Sequence, residues 1–251
     1  MVEAKPKLEI PLAALRRLVG KVLFAVSGED SRFQLSGALL KIKAKSLEIV
    51  ATDGHRLALI ESPLAGKASE DSVLVPRKAL QELMRMEGDE TVVFRRSDHH
   101  LVFSVGAREM TCRVLEGSFP DYERVISRAN DRKARVERKA LAEAVRRVAI
   151  MTGDRNRGVR LEFGEQEVVI AAANPDLGDA SESLACDFAG SGIKIGLNPD
   201  YMGQFLDAVE SSSVQLDLKD ENSQCVGSPV FDEGQGVAGE RYLCVIMPMR
   251  I

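Results

Sequence analysis

The chain repeats itself, and that constrains its fold more than any single motif. The stretch Leu12-Ala13-Ala14-Leu15-Arg16-Arg17-Leu18-Val19 returns as Ala142-Glu143-Ala144-Val145-Arg146-Arg147-Val148-Ala149. A glycine-acid pair follows each, Gly28-Glu29 and Gly153-Asp154. Gly37-Ala38-Leu39-Leu40-Lys41-Ile42 then matches Gly158-Val159-Arg160-Leu161-Glu162-Phe163, and Leu47 to Asp53 matches Val168 to Asn174. Last, Val73-Leu74-Val75-Pro76 and Ile193-Lys194-Ile195-Gly196-Leu197-Asn198-Pro199 each lead into a second helix. Five matches in one order point to a duplicated unit of about 120 residues, an ordinary domain size. The order is helix, two strands, loop, strand, helix, strands, twice over.

The periodicities give each unit its class. Leu12, Leu15, Val19, Val22 and Leu23 form one helical apolar stripe, with Arg16, Arg17 and Lys21 off it. Pro76 suits a helix start, and Leu80, Leu83 and Met84 make the next stripe, with Arg77 and Lys78 outside. In the second unit Leu141, Val145 and Val148 point inward and Arg146 and Arg147 outward, whereas the fourth helix carries Asp200 and Asp207. Thr91 to Phe94, Leu101 to Val105 and Val214 to Leu218 read as strands. The expected fold is therefore α+β: tandem domains, each with two helices packed on mostly antiparallel sheet. Their expected extents are 1–127 and 128–251, with a polar linker near Ser127 to Asp131.

Composition removes several classes. No run approaches the roughly 18 apolar residues that would span a bilayer, and Met1 to Lys7 lack a signal peptide's apolar stretch. Cys112, Cys186, Cys225 and Cys244 are far apart, without CxxC spacing or a histidine at ligand distance, which argues for reduced thiols and against zinc. Charge is uneven. Residues 1–125 carry 19 basic and 18 acidic side chains, and the rest carry 15 and 20, so neither half is a strongly basic nucleic-acid binder. Any contact with DNA needs the positive charge gathered on one face.

The densest polar cluster is Thr52-Asp53-Gly54-His55-Arg56-Leu57. Asp53 and His55 are a conceivable catalytic pair, but no serine or cysteine nucleophile stands in a recognisable setting. The plainer reading is a turn between strands, with Gly54 supplying the unusual backbone angle. Gly190 to Gly196 lacks phosphate-loop spacing and reads as a hairpin. His99 and His100 read as turn residues. The basic helix faces are either solvated surface or a shared surface for phosphate-backbone contact. Tyr242 to Ile251 is apolar almost to its end, either an edge strand or one wall of an adaptable binding site, where methionine is well suited.

Four motifs together resemble a known family. Ala51-Thr52-Asp53-Gly54-His55-Arg56-Leu57-Ala58, Val75-Pro76-Arg77-Lys78, Phe119-Pro120-Asp121-Tyr122 and Ile246-Met247-Pro248-Met249-Arg250-Ile251 are similar to the bacterial DNA polymerase III β subunit, the sliding clamp. The likeness runs along nearly the whole chain but covers only that family's middle and C-terminal DNA-clamp domains. The family's chains close head to tail into a ring around duplex DNA. With the first domain missing, the resemblance implies that this form cannot close the usual ring and is monomeric.

The resemblance further implies a cytoplasmic bacterial processivity factor, associated with the nucleoid when on DNA, with no enzymatic activity, cofactor or metal. Implied partners are replicative and translesion DNA polymerases, the clamp loader and mismatch-repair proteins, all through a short linear motif, together with duplex DNA bound without sequence specificity. No membrane partner is implied. The implied peptide groove lies between the domains. It takes Leu35, Thr52, Gly54, His55, Arg56, Leu57, Pro120, Arg124 and Val125 from one side, and Asn198, Tyr201, Val245, Met247, Pro248, Met249 and Arg250 from the other. Asn156 and Asn222, where the family tends to be apolar, are left outside it. The implied DNA-facing set is Arg16, Arg17, Lys21, Arg32, Phe33, Arg77, Lys78, Arg146 and Arg147. Two further readings stay open: a duplex-DNA-binding protein that does not encircle its ligand, and a small hydrolase using Asp53 and His55.

Overall fold

A computed structural model describes residues 5–28, 33–66, 68–127, 129–153 and 157–250. The chain forms two compact units, the first from residues 1–122 with 237–242, the second from 123–236 with 243–251. Among the described residues the first unit has β1 (Pro6–Pro11), α1 (Leu12–Gly20), β2 (Gly37–Ile42), β3 (Ser46–Thr52), β4 (Arg56–Pro63), β5 (Asp71–Pro76), α2 (Arg77–Arg85), β6 (Thr91–Arg96), β7 (His100–Val105) and β8 (Arg108–Arg113). The second has β9 (Arg132–Glu137), α3 (Arg138–Ala149), β10 (Val159–Phe163), β11 (Glu167–Asn174), β12 (Gly178–Ala189), β13 (Ile193–Leu197), α4 (Pro199–Ala208), β14 (Ser213–Leu218) and β15 (Cys225–Val230), with β16 (Arg241–Ile246) completing the chain's strands.

The duplication is visible strand by strand. In the first unit the strands run β4-β3-β2-β5 in one antiparallel group and β1-β6-β7-β8 in another. The second unit repeats both orders as β12-β11-β10-β13 and β9-β14-β15-β16, here fused because β12 also pairs with β9. At 12 residues β12 is long enough to serve β11 with its first part and β9 with its end, where Cys186 faces Val136.

Each helix buries the stripe its sequence spells out. Leu12, Leu15, Leu18 and Val19 of α1, Ala79, Leu80 and Leu83 of α2, and Leu141, Val145 and Val148 of α3 are all buried. In α4, Met202, Phe205 and Leu206 are buried, and Gly227 of β15 leaves room for the Phe205 ring. Asn198 caps α4 by accepting from the backbone N–H groups of Asp200 and Tyr201, with Pro199 starting the helix. Aromatic pairs mark the cores: Phe94 and Phe103, 4.9 Å between centroids, in the first unit, and Phe163 and Phe188, 5.6 Å, in the second.

Two expectations are corrected. The first helix ends at Gly20, and Leu23 opens a short 3-10 turn, so the stripe through Leu23 spans two elements. Gly190 to Gly196 is not a hairpin: β12 and β13 are separated by β11 and β10, because β12 already has β11 and β9 as neighbours. The turn at Gly54 implies the strand β4 without giving its extent, and most of β12 is not legible as a strand. β4 is buried on both faces, so it shows no alternation, and the first half of β12 alternates among polar and small residues.

Candidate functional site

The Thr52–Arg56 turn is built by its own side chains. Gly54 at φ 90° makes the reversal between β3 and β4, a backbone angle that other residues rarely adopt. The Thr52 hydroxyl donates to the Arg56 carbonyl at 2.6 Å and accepts from the Gly54 N–H at 3.1 Å. Asp53 Oδ1 accepts from the His55 and Arg56 N–H groups at 2.9 and 3.0 Å, and Oδ2 from Arg56 Nε at 3.0 Å. Arg56 also donates to the Phe24 carbonyl at 2.5 Å and lies 5.3 Å from the centre of the Phe24 ring. The Asp53 carboxylate is thus engaged by the turn itself, which is the work of a scaffold residue. The result is an immobilised Arg56 with His55 exposed at the tip.

The rest of the first-unit peptide set divides by exposure. Leu35 and Leu57 are buried and Pro120 is exposed. Leu35 is tied back by its carbonyl, which accepts from the Ser27 N–H at 3.0 Å. Pro120 stands two residues before Tyr122, whose phenol donates to the buried Glu48 at 2.5 Å and accepts from Lys41 at 2.8 Å. Lys43 reaches the other oxygen of Glu48 at 3.0 Å and Glu61 at 2.8 Å. This partly buried network, with the Tyr122–Glu48 bond at its buried centre, ties Tyr122 to the β2–β4 sheet. Its Lys43 hydrogen bond, helped by Ser46, holds the Glu61 carboxyl below the usual carboxylate range against the opposing effect of burial.

In the second unit Val125 and Met247 are exposed, Tyr201 is half-buried, and Val245 is buried in β16. The Val125 carbonyl accepts from Gln224 at 2.9 Å. Pro248 is half-buried and Arg124 exposed, while the Asn198 side chain is taken up by its capping role. The tail is pinned where the Met249 N–H donates to the Gly196 carbonyl at 2.8 Å. A cleft of about 570 Å³ opens there, lined by Met249, Arg250, Arg160, Lys194 and Asn222 among others. Arg160 and Lys194 were not singled out by the sequence. Their alternation with apolar strand residues was legible, but their convergence on the tail was not.

The basic set is less uniform than its sequence suggests. Lys21 is only 4% exposed, with its ammonium 5.1 Å from the centre of the Tyr242 ring, so it belongs to the interior rather than a solvent-facing lining. Arg17 forms a two-pronged ion pair with Glu240, one prong 2.9 Å long. Burial opposes ionisation of Glu240, but the hydrogen bond and charge of Arg17 outweigh it and keep the carboxyl below its usual range. Arg146 is paired with Asp207 at 2.5 Å, and Arg147 grips Glu182 with two bonds of 2.7 and 2.8 Å. The Arg147 hydrogen bond lowers the Glu182 carboxyl and is reciprocated by a raised Arg147. Arg16 and Arg77 each bury an Nε that has no hydrogen-bond partner among the described residues, Lys78 is exposed, and Phe33 is 70% exposed. Arg32 lies outside the described residues. The neutralising carboxylates Glu240, Asp207 and Glu182 lie outside the helices whose arginines they meet, while Glu143 pairs with Arg147 from within its own helix. Among the described residues no three His, Cys, Asp or Glu side chains gather at metal-binding distance, and no helix is long and apolar enough to cross a membrane.

A repeated unit of two helices on mostly antiparallel sheet is the tandem-domain fold of the DNA clamps. The crystal structure of the DNA polymerase sliding clamp from Pseudomonas aeruginosa has the same fold, with a TM-score of 0.90 and 32% identity over 100% of this chain and 68% of that one. The chain belongs to the DNA polymerase III beta subunit family: the family's central domain matches residues 9–121 and its C-terminal domain residues 123–250. The Beta sliding clamp of Pseudomonas putida KT2440 is 36% identical over 243 residues, 94% of this chain. The chain spans 64% of that relative's length. A P. aeruginosa sliding clamp bound to griselimycin is similar too, with a TM-score of 0.89 and 32% identity over 100% of this chain and 68% of that one.

Proposed function

We propose that this chain works as a sliding-clamp module, docking the short linear motifs of DNA polymerases, the clamp loader and mismatch-repair proteins while contacting duplex DNA weakly. The observation that carries the reading is the Thr52–Leu57 turn in a chain of this family. Its backbone is locked by Thr52 and Asp53, so Arg56 and His55 meet a peptide already in place, and little ordering entropy opposes binding. Exposed Val125 and Met247 supply apolar contacts for the motif, and Tyr201, Pro248, Met249 and Arg250 frame its polar end. Leu57 and Val245 are buried and belong to the cores of their own units rather than to the exposed contact surface. The partly neutralised arginines Arg17, Arg146 and Arg147 suit a protein that must slide, because a lining that gripped phosphates tightly would arrest it.

The test is fluorescence polarisation of a labelled Gln-Leu-x-Leu-Phe peptide against the full chain. A dissociation constant on the order of micromolar is expected, as for other short motifs. Binding is lost on deletion of residues 249–251, and griselimycin, bound by the P. aeruginosa relative, displaces the peptide. A folded chain that binds no peptide overturns the reading.

A further inference from the structure

The cleft under the tail in the second unit has a composition that the apolar motif does not explain. Gly196 is part of its lining and faces Arg160 across the β10–β13 pair. The Gly196 carbonyl holds the Met249 N–H at 2.8 Å, and the next residue, Arg250, is in the cleft lining. Lys194, two residues along β13, completes a cationic trio with Arg160 and Arg250. The opposing charge is smaller. Glu162 pairs with Lys194 at 2.8 Å, and Glu221 contributes the one carboxylate of the lining. Neither Arg160 nor Arg250 has an acidic partner within salt-bridge distance among the described residues. In this cleft three cations face the two carboxylates Glu162 and Glu221, and Arg160 also borders a neighbouring cleft that holds Asp179. At about 570 Å³ the cleft has the volume of a small-ligand site, room for one or two peptide side chains.

We propose that this cleft binds carboxylate side chains of the partner peptide, so that aspartate or glutamate flanking the apolar motif is selected by Arg160 and Arg250. The inference rests on the peptide-docking reading and adds a partner class to it: motifs with an acidic flank. A guanidinium fork offers a carboxylate two parallel hydrogen bonds, which a neutral flank cannot use. Lys194 adds attraction at longer range, and salt weakens it.

The experiment compares three labelled peptides on the full chain: the Gln-Leu-x-Leu-Phe core with two glutamates, two serines or two lysines, placed before the core in one set and after it in another. The glutamate peptide is expected to bind about 5- to 10-fold tighter than the serine peptide in low salt, in at least one placement, with the gap narrowing as salt rises. The lysine peptide binds weakest. Arg160→Gln, a residue outside the core-binding set, removes the glutamate advantage and leaves the serine peptide's affinity unchanged. Lys194→Gln reduces the advantage in part. Equal binding of glutamate and serine peptides to the wild-type chain overturns this inference alone and leaves peptide docking standing. A glutamate advantage that survives Arg160→Gln overturns the assignment to this cleft, and an Arg160→Gln variant that loses only duplex-DNA affinity reassigns the cleft to phosphate. Binding of none of the peptides removes the docking reading and this inference with it.

Discussion

Removing the Asp53 carboxylate tests whether the turn is a scaffold. Asp53→Ala abolishes three hydrogen bonds, from the His55 and Arg56 N–H groups and from Arg56 Nε, each 2.9–3.0 Å long. It also leaves the Arg56 guanidinium without its carboxylate partner at a site where that side chain is 9% exposed. Breaking a fully buried ion pair costs about 3–5 kcal/mol, and a hydrogen bond to a charged group contributes about 1.5–3 kcal/mol. The Asp53 side chain is 16% exposed and Arg56 keeps its bond to the Phe24 carbonyl, so water and that carbonyl recover part of the loss. The expected destabilisation is about 2–3 kcal/mol. For a unit of this size that lowers the melting temperature by about 10 °C, at roughly 4 °C per kcal/mol. Urea titration and thermal melts followed by circular dichroism read it directly. Asp53→Asn keeps an acceptor for the two backbone N–H groups but not the ion pair, and it recovers about half. Peptide affinity falls in the same order. If Asp53→Ala unfolds within about 0.5 kcal/mol of the wild type, the range typical of neutral surface changes, the scaffold account is wrong.

Three other outcomes are expected. Asp207→Asn with Glu182→Gln and Glu143→Gln releases Arg146 and Arg147, so anisotropy with linear duplex DNA shows tighter binding and a log–log salt slope steeper by up to ~1.8, at ~0.9 per added phosphate contact. An unchanged slope removes that face from the DNA-contacting set. The lowered Glu61 carboxyl contributes stability that is fully present above the ordinary value of 4.5 and is lost as pH falls through its folded value. Urea titrations of the wild type and Glu61→Gln therefore converge in acid and diverge toward neutrality, whereas a constant gap refutes the linkage. In Gly227→Ala the new Cβ lies 2.6 and 2.8 Å from Cε1 and Cζ of Phe205, a fully buried ring, and overpacking costs about 1–3 kcal/mol in a urea midpoint. A neutral result means that α4 shifts freely on its sheet.

Sequence and tertiary structure answer different questions about this chain. The duplication, the amphipathic faces of the four helices and the reversal at Gly54 were legible because each is local: a 3.6-residue period, a glycine at a positive φ, a motif repeated in order. The extent of β4 was not legible for the same reason, since a strand buried on both faces carries no alternation to read. The second sheet's order was also out of reach. Gly190 to Gly196 looks like a hairpin until β11 and β10 are found between the strands it joins.

Charge pairing is the clearest case of what only the folded chain decides. Arg17 meets Glu240, 223 residues away, and Arg147 meets Glu182, 35 residues away. A row of arginines on a helix is therefore partly spent on carboxylates that no helical period could indicate. Lys21 reads as a surface cation from its helical phase, yet the chain carries Tyr242 over it and buries it. The Arg160–Arg250 cleft depends in the same way on a strand register and one tail hydrogen bond. Backbone propensity and hydrophobic period act over a few residues and are written in the sequence, whereas electrostatic neighbours are set by packing across the unit, which the linear order does not encode.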